Sequence, residues 1–349
     1  MTVPTSRFAP VRWQPPKAPA RASRPTGPRP FELTVLALPA SSSEDVLIDA
    51  DGSVLTAVAD GRILRISPDG DRIATVARTG GRGLGLEFHP DGGLVVCDVE
   101  RGLLRVWPDD AEQPVPATGA VEVLVGDIDG VPMRFCNNCA VAADGTIYFS
   151  DSSTHFSVGD YKGDLLEHAG TGRLLRRAPD GTVSVLADGL HFPNGVALAA
   201  DESFLLFAQT GAYSVERLWL TGPRQGERTS FVDNLPAFPD NLSLGSDGLF
   251  WVALPSTRNR LLDLLSPRHP ALRKLAWALP EALQPKEAKT VFAQAFDSEA
   301  NLVHDLQQPN RDFYMCSGIR ERAGVLWFGS LVCSAVGKVV LTAPSTEPG

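Results

Sequence analysis

The chain has 349 residues, 43% of them hydrophobic, with 32 basic against 41 acidic side chains and a formal charge of −9. That is enough apolar material for a sizeable core, and the acidic balance disfavours nucleic acid or an anionic membrane as the main partner. No apolar run approaches the ~20 residues of a spanning helix, and the N-terminus lacks the apolar core of a secretion signal; the expectation is a soluble, cytoplasmic protein.

Residues 1–30 are dense in Arg and Pro and nearly free of aliphatic side chains, which predicts a disordered arm. From Phe31 the texture changes. Phe31–Leu38 reads as a strand, and a first repeat follows: Glu44 and a short apolar run to the turn Asp51-Gly52, then Val54–Val58, Gly61–Ile66, the turn Pro68-Asp69-Gly70, and Arg72–Val76. Apolar strands separated by Asp-Gly turns are antiparallel hairpins, because Asp and Gly tolerate the positive φ of tight turns. The pattern returns at Leu84–Trp107, Asn137–Phe149, Asn194–Leu220, Asp240–Leu254 and, more loosely, Cys316–Leu341. Six units of four strands predict an all-β, six-bladed β-propeller over residues 31–349, with the strand at 31–38 completing the last blade. The long gap between the fifth and sixth repeats carries helical spacing at Asn259–Leu265 and Pro270–Leu279, which predicts a small helical insertion at about 259–280. Its role is either packing against the blades or forming a lid over a substrate pocket.

In a propeller the first strand of each blade lines the central channel. The residue seven before each first turn is Glu44, Leu84, Asn137, Asn194, Asp240 and Cys316, and Asn241 stands beside the fifth. Taken singly, an Asn or Asp here could simply cap a turn; recurrence at one offset in four repeats points instead to a shared site. Glu44, Asn137, Asn194, Asp240 and Asn241 are two carboxylates and three carboxamides, a hard-oxygen donor set that suits a divalent metal, Ca2+ first, with Mg2+, Mn2+ or Zn2+ as alternatives. Cys136 and Cys139 have the spacing of a redox dithiol or half a zinc site, but they lead into a strand and lack a second pair. They read as small residues flanking Asn137. Five cysteines in all, an odd number at low density, fit a reducing compartment.

The segments Glu44-Asp45-Val46, Phe135-Cys136-Asn137-Asn138, Phe192-Pro193-Asn194-Gly195 and Phe238-Pro239-Asp240-Asn241 resemble signatures of the senescence-marker/gluconolactonase and strictosidine-synthase-like superfamily. That superfamily of six-bladed propellers includes paraoxonases and diisopropyl-fluorophosphatases. Similarity extends from about residue 40 to 341, and the helical insertion and Tyr148–Ser153 look most like the strictosidine-synthase-like branch. The resemblance implies a catalytic divalent ion on Glu44, Asn137, Asn194, Asp240 and Asn241, and hydrolysis of a small-molecule lactone or ester. Asp240 would be both ligand and base or nucleophile. Two departures narrow the reaction: Leu84 stands where paraoxonases place a catalytic His, and Ser317 aligns near the glutamate that strictosidine synthases use for condensation. His155 and His191 are further candidates for a catalytic role, as proton shuttles or substrate contacts. The alternatives are a propeller that binds a partner around a structural ion, and a metal-free condensing enzyme.

Overall fold

The computed structural model describes residues 8–107, 121–280 and 286–341. Six four-stranded antiparallel sheets follow one another around a common axis. Blade one comprises Leu47–Ile48, Val54–Ala57, Arg62–Ile66 and Ile73–Arg78, and blade two Gly83–Phe88, Leu94–Asp98, Gly102–Val106 and Val121–Val125. Blade three comprises Cys136–Val141, Ile147–Asp151, Gly172–Arg177 and Val183–Leu190; blade four Pro193–Leu198, Phe204–Gln209, Ser214–Trp219 and Arg228–Val232. Blade five comprises Leu242–Leu244, Phe250–Ala253, Thr290–Phe296 and Leu302–Pro309. In blade six Ile319–Arg322, Val325–Phe328 and Ala335–Val340 are joined on the outside by Thr34–Ala37, paired Thr34 to Lys338 and Ala37 to Ala335. The early strand thus closes the ring as predicted, so the two ends of the propeller hold each other through backbone hydrogen bonds.

The repeats are equivalent in detail. At the first turn of five blades the Asp side chain accepts the amide two residues on: Asp51 from Ser53 at 2.8 Å, Asp91 from Gly93 at 3.2 Å, Asp144 from Thr146 at 2.8 Å, Asp201 from Ser203 at 3.0 Å and Asp247 from Leu249 at 3.0 Å. The looser last turn uses Ala323 and Gly324, both at positive φ (51° and 78°), which matches a tight hairpin without the Asp. Core side chains fill the wedges between blades. Leu206, Phe250 and Phe292 lie between blades four and five, and Leu55, Ile63 and Leu104 between one and two. Each such side chain contributes about 1.5–3 kcal/mol on burial.

Innermost strands of successive blades touch near the axis, and there the sequence supplies glycine. A Cβ on Gly195 would lie 2.3 Å from the Leu242 nitrogen, and one on Gly318 2.6 Å from Asp45 Cα. Only residues without a side chain permit that approach.

Two expectations are corrected. The helical insertion lies within blade five, between its second and third strands, and consists of α2 (Arg260–Leu265) and α3 (Pro270–Trp277). Pro270 occupies the first turn of α3, where its missing N–H costs nothing. A further short helix, α1 (Tyr161–Glu167), without a periodic signal in the sequence, fills the corresponding connection of blade three. Second, the Pro/Arg-rich segment is not a free arm over residues 8–30: Phe8 is buried, Trp13 stacks on His168, and Arg21 forms an ion pair with Asp305 at 2.6 Å. Isolated aromatic and basic anchors, rather than an apolar periodicity, fix it to the helices and to blade five. Residues 1–7 lie outside the described part. Among the described residues no helix is long and apolar enough to cross a membrane.

Candidate metal centre

Glu44, Asn137, Asn194 and Asp240 sit at or just before the start of the innermost strand of blades one, three, four and five, and all four line a single cavity; Asn241 is buried beside them. Neighbouring blades are tied together at this level. Asn241 N donates to Ser317 O at 3.0 Å, Ser317 Oγ to Glu44 O at 2.8 Å, and Ser150 Oγ to Asn194 O at 2.7 Å. The donors are therefore held by the closed ring and not by one flexible loop.

Their hydrogen bonding leaves one oxygen from each residue unused. Asn137 Nδ2 donates to Ser152 Oγ at 2.8 Å and Asn241 Nδ2 to Glu44 Oε1 at 3.1 Å, which fixes both carboxamides with their oxygens free. Glu44 Oε2, Asn137 Oδ1, Asn194 Oδ1, Asp240 Oδ1 and Asn241 Oδ1 are all buried without a hydrogen-bond partner. Leaving one buried acceptor unsatisfied costs ~1–3 kcal/mol, and five converging from four blades are the arrangement a hard cation resolves. The five residues thus fit a divalent ion. Among the described residues no three His, Cys, Asp or Glu side chains form a metal-binding group, so the three carboxamides are essential to this donor set.

The electrostatics agree. Burial, then the charge of Asp240, then that of Asp45 raises the Glu44 carboxyl well above its ordinary range. Burial pushes Asp240 up to about 8 against a lowering hydrogen bond from Asn194. Two carboxylates crowded out of water without a contacting cation take up protons unless a positive charge arrives.

A second layer lies against the first and was missed by the repeat argument. Asn138 Nδ2 donates to Asp45 Oδ2 at 3.2 Å, and Asn138 Oδ1 accepts Val196 N at 2.9 Å. Arg320, from blade six, lies 3.6 Å from Asp45 and 2.9 Å from Glu87. Asp45 and Asn138 each follow a donor directly in sequence, which is the signal that could have found them.

Above the donors the cavity is apolar. Phe135, Phe192 and Phe238 stand two residues before Asn137, Asn194 and Asp240, and with Leu84 they form its lower wall. The upper wall comes from α1 (Leu165, Leu166), α2 (Leu261, Leu262, Leu265) and α3 (Ala276). The rim carries charge: Lys162 pairs with Glu287 at 2.5 Å. Leu84 lines the cavity, and the Ser317 hydroxyl donates to the Glu44 carbonyl.

Neither predicted histidine lines this cavity. His155 is half exposed, its Nδ1 2.8 Å from Glu167 Oε2. His191 stacks face to face on His168 at 3.8 Å, and burial lowers the pKa of both rings. The structure thus places both beside α1 and does not bring them into the cavity with the five donors. Cys97, Cys136 and Cys139 are buried in one core cluster as free thiols, with Cys97 and Cys136 pushed up by burial.

Comparisons with known proteins come from both sequence and structure. The strictosidine synthase family profile matches residues 137–223, and the strictosidine synthase-like N-terminal profile matches residues 33–66. The chicken adipocyte plasma membrane-associated protein is 34% identical over 307 residues, covering 80% of this chain and 71% of that one. Strictosidine synthase-like protein 10 of Arabidopsis thaliana is 34% identical, covering 74% and 69%. Strictosidine synthase-like protein 13 of the same plant is 37% identical over 57% of this chain and 48% of its own, so the match spans about half of that relative. Among solved structures, a gluconolactonase from Xanthomonas campestris superposes with a TM-score of 0.64 over 96% of this chain and 97% of its own, at 19% identity. The calcium-binding protein regucalcin from Agrobacterium tumefaciens superposes with a TM-score of 0.60 over 90% and 96%, at 14% identity. Identities this low establish the fold alone.

Proposed function

The chain belongs to the strictosidine synthase-like family of six-bladed propellers, and from that premise we propose that it is a divalent-metal-dependent hydrolase of lactones or esters that carry an apolar group. The observation that carries this reading is the set of five unpartnered buried oxygens, on Glu44, Asn137, Asn194, Asp240 and Asn241, beneath an apolar cavity. Those residues would hold the ion, with calcium the first candidate for an all-oxygen set rich in carboxamides. When bound, a divalent ion polarises a carbonyl and offsets the negative charge that develops on its oxygen.

The chain's own residues supply the remainder. Phe135, Phe192 and Phe238 surround the reacting carbonyl with apolar surface, limiting the water that reaches it and strengthening every charge interaction inside. The leucines of α1 and α2 take up the apolar group of the substrate. Asp240 is the base: as water adds to the carbonyl carbon, its carboxylate takes the proton through the oxygen not assigned to the ion. The acyl–oxygen bond then breaks, and the proton passes to the departing alkoxide, giving an alcohol and a carboxylic acid, or a hydroxy acid from a lactone, which then loses its remaining carboxyl proton to solvent. Ser317 offers no carboxylate for the amine–aldehyde condensation of strictosidine synthases, which favours hydrolysis within the family.

The test is turnover of a panel of lactones and aryl esters by the purified protein, with and without a chelator. Chelator-sensitive hydrolysis that disappears in a folded Asp240→Ala protein supports the reading. A folded, ion-loaded protein that hydrolyses none of the panel refutes it.

A further inference from the structure

The N-terminal arm touches the helices over the cavity at a recurring place. Leu166, Leu265 and Ala276 line the cavity from α1, α2 and α3. The next residue in each case is gripped by the arm. Glu167 accepts Val11 N at 2.8 Å through its carbonyl and Ala9 N at 2.7 Å through its carboxylate. Ser266 O accepts Trp13 N at 3.3 Å. Trp277 stacks on Phe8 with ring centroids 5.6 Å apart. Arg273, fully buried in α3, ties that helix to α1 and to the arm by donating to Leu166 O at 2.7 Å and to Val11 O at 2.6 Å. Further along, Arg258 donates to Pro16 O at 2.9 Å, and the Trp13 ring continues a stack through His168 to His191, three residues before Asn194. No described residue of the arm lines the cavity itself.

We propose that residues 8–17 are a positioning strap that locks α1 to α2 and α3, and so fixes the apolar wall that decides how large an apolar group the cavity accepts. Helices of six to eight residues are too short to hold their place by themselves. They hang from second-to-third-strand connections of two different blades, and the arm joins them outside the cavity. The size selection rests on the hydrolase reading; the locking of the helices does not.

Two variants of the full chain test it: the double substitution Phe8→Ala with Trp13→Ala, which removes the ring anchors, and Arg273→Met, which removes the shared donor. Hydrogen exchange in both should quicken by about tenfold or more across residues 161–167 and 260–277, with blade strands unchanged. In turnover, KM for γ-dodecalactone should rise about tenfold, the equivalent of ~1.4 kcal/mol, while kcat/KM for γ-butyrolactone stays the same. Unchanged exchange in the helices overturns the proposal. So does equal quickening in the blade strands, which would make the arm a prop for the whole propeller, or an equal loss on both lactones. If the parent protein turns over neither these lactones nor any other member of the lactone and ester panel, the hydrolase reading fails and the exchange pattern still decides the strap.

Discussion

Titrating the stability of the protein with and without a divalent ion tests the donor set through its protons. In the ion-free protein Asp240 is raised from 3.8 to about 8, mainly by burial, and Glu44 is raised beside it. A carboxyl whose folded pKa lies above its unfolded value contributes stability that is fully present below the unfolded value and is lost as pH rises through the folded one. The ion-free protein should therefore weaken from about pH 4 to pH 8. One proton is worth at most ~1.4 kcal/mol per pH unit, so a single carboxyl accounts for up to about 2.7 kcal/mol between pH 5 and 7. With the ion bound both carboxyls are ionised and that slope vanishes. Other buried carboxyls, such as Asp164 at about 6, act equally in both states and cancel in the difference. Thermal unfolding from pH 5 to 8, in chelator and in millimolar calcium, should show stabilisation by calcium growing with pH. Equal stabilisation at pH 5 and pH 8, or a flat ion-free curve with no calcium effect, would refute the assignment.

Other substitutions have distinct signatures. Asn138→Leu strands the Val196 amide and one Asp45 oxygen, so urea unfolding should show a loss of roughly 1–3 kcal/mol per stranded group and calcium titration a 10- to 100-fold weaker affinity, about the range for removing a metal ligand's support. Gly195→Ala would place a methyl 2.3 Å from the Leu242 nitrogen; a loss of about 3 kcal/mol or more is expected in the same assay, and a wild-type midpoint would contradict the close packing of central strands. Leu166→Ala, which shortens the cavity wall, should raise KM for long-chain lactones about tenfold and leave γ-butyrolactone turnover alone.

The features legible in the sequence were those that repeat. The donor and the Asp-Gly turn of a blade share one hairpin at a fixed seven-residue offset, so comparing four repeats aligned Glu44, Asn137, Asn194 and Asp240 without knowledge of any contact. Features made once were not legible. Phe8 and Trp13 dock the arm as single rings within a Pro/Arg-rich composition, and Arg273 binds backbone carbonyls that leave no trace in residue identity. The helical insertion was displaced because the third and fourth strands of blade five, Thr290–Phe296 and Leu302–Pro309, come after it. The fifth repeat ended too early in the sequence reading. α1 is seven residues long with Gly163 inside it, too short for a periodic signal. His191 lies three residues before Asn194 and His155 ends the loop that follows the second strand of blade three, but their contacts hold them away from the cavity: His155 is held by Glu167, and His191 is stacked on His168.

Five side-chain oxygens at the propeller axis are proposed to hold one divalent ion. Elemental analysis and calorimetric titration of the full chain after exhaustive chelation test it most directly. One calcium-competent site per chain is expected, lost in Asn194→Ala and Asp240→Ala proteins that retain their β-sheet circular dichroism. Failure of the chelated wild-type protein to bind calcium, magnesium, manganese or zinc at millimolar concentration would contradict it.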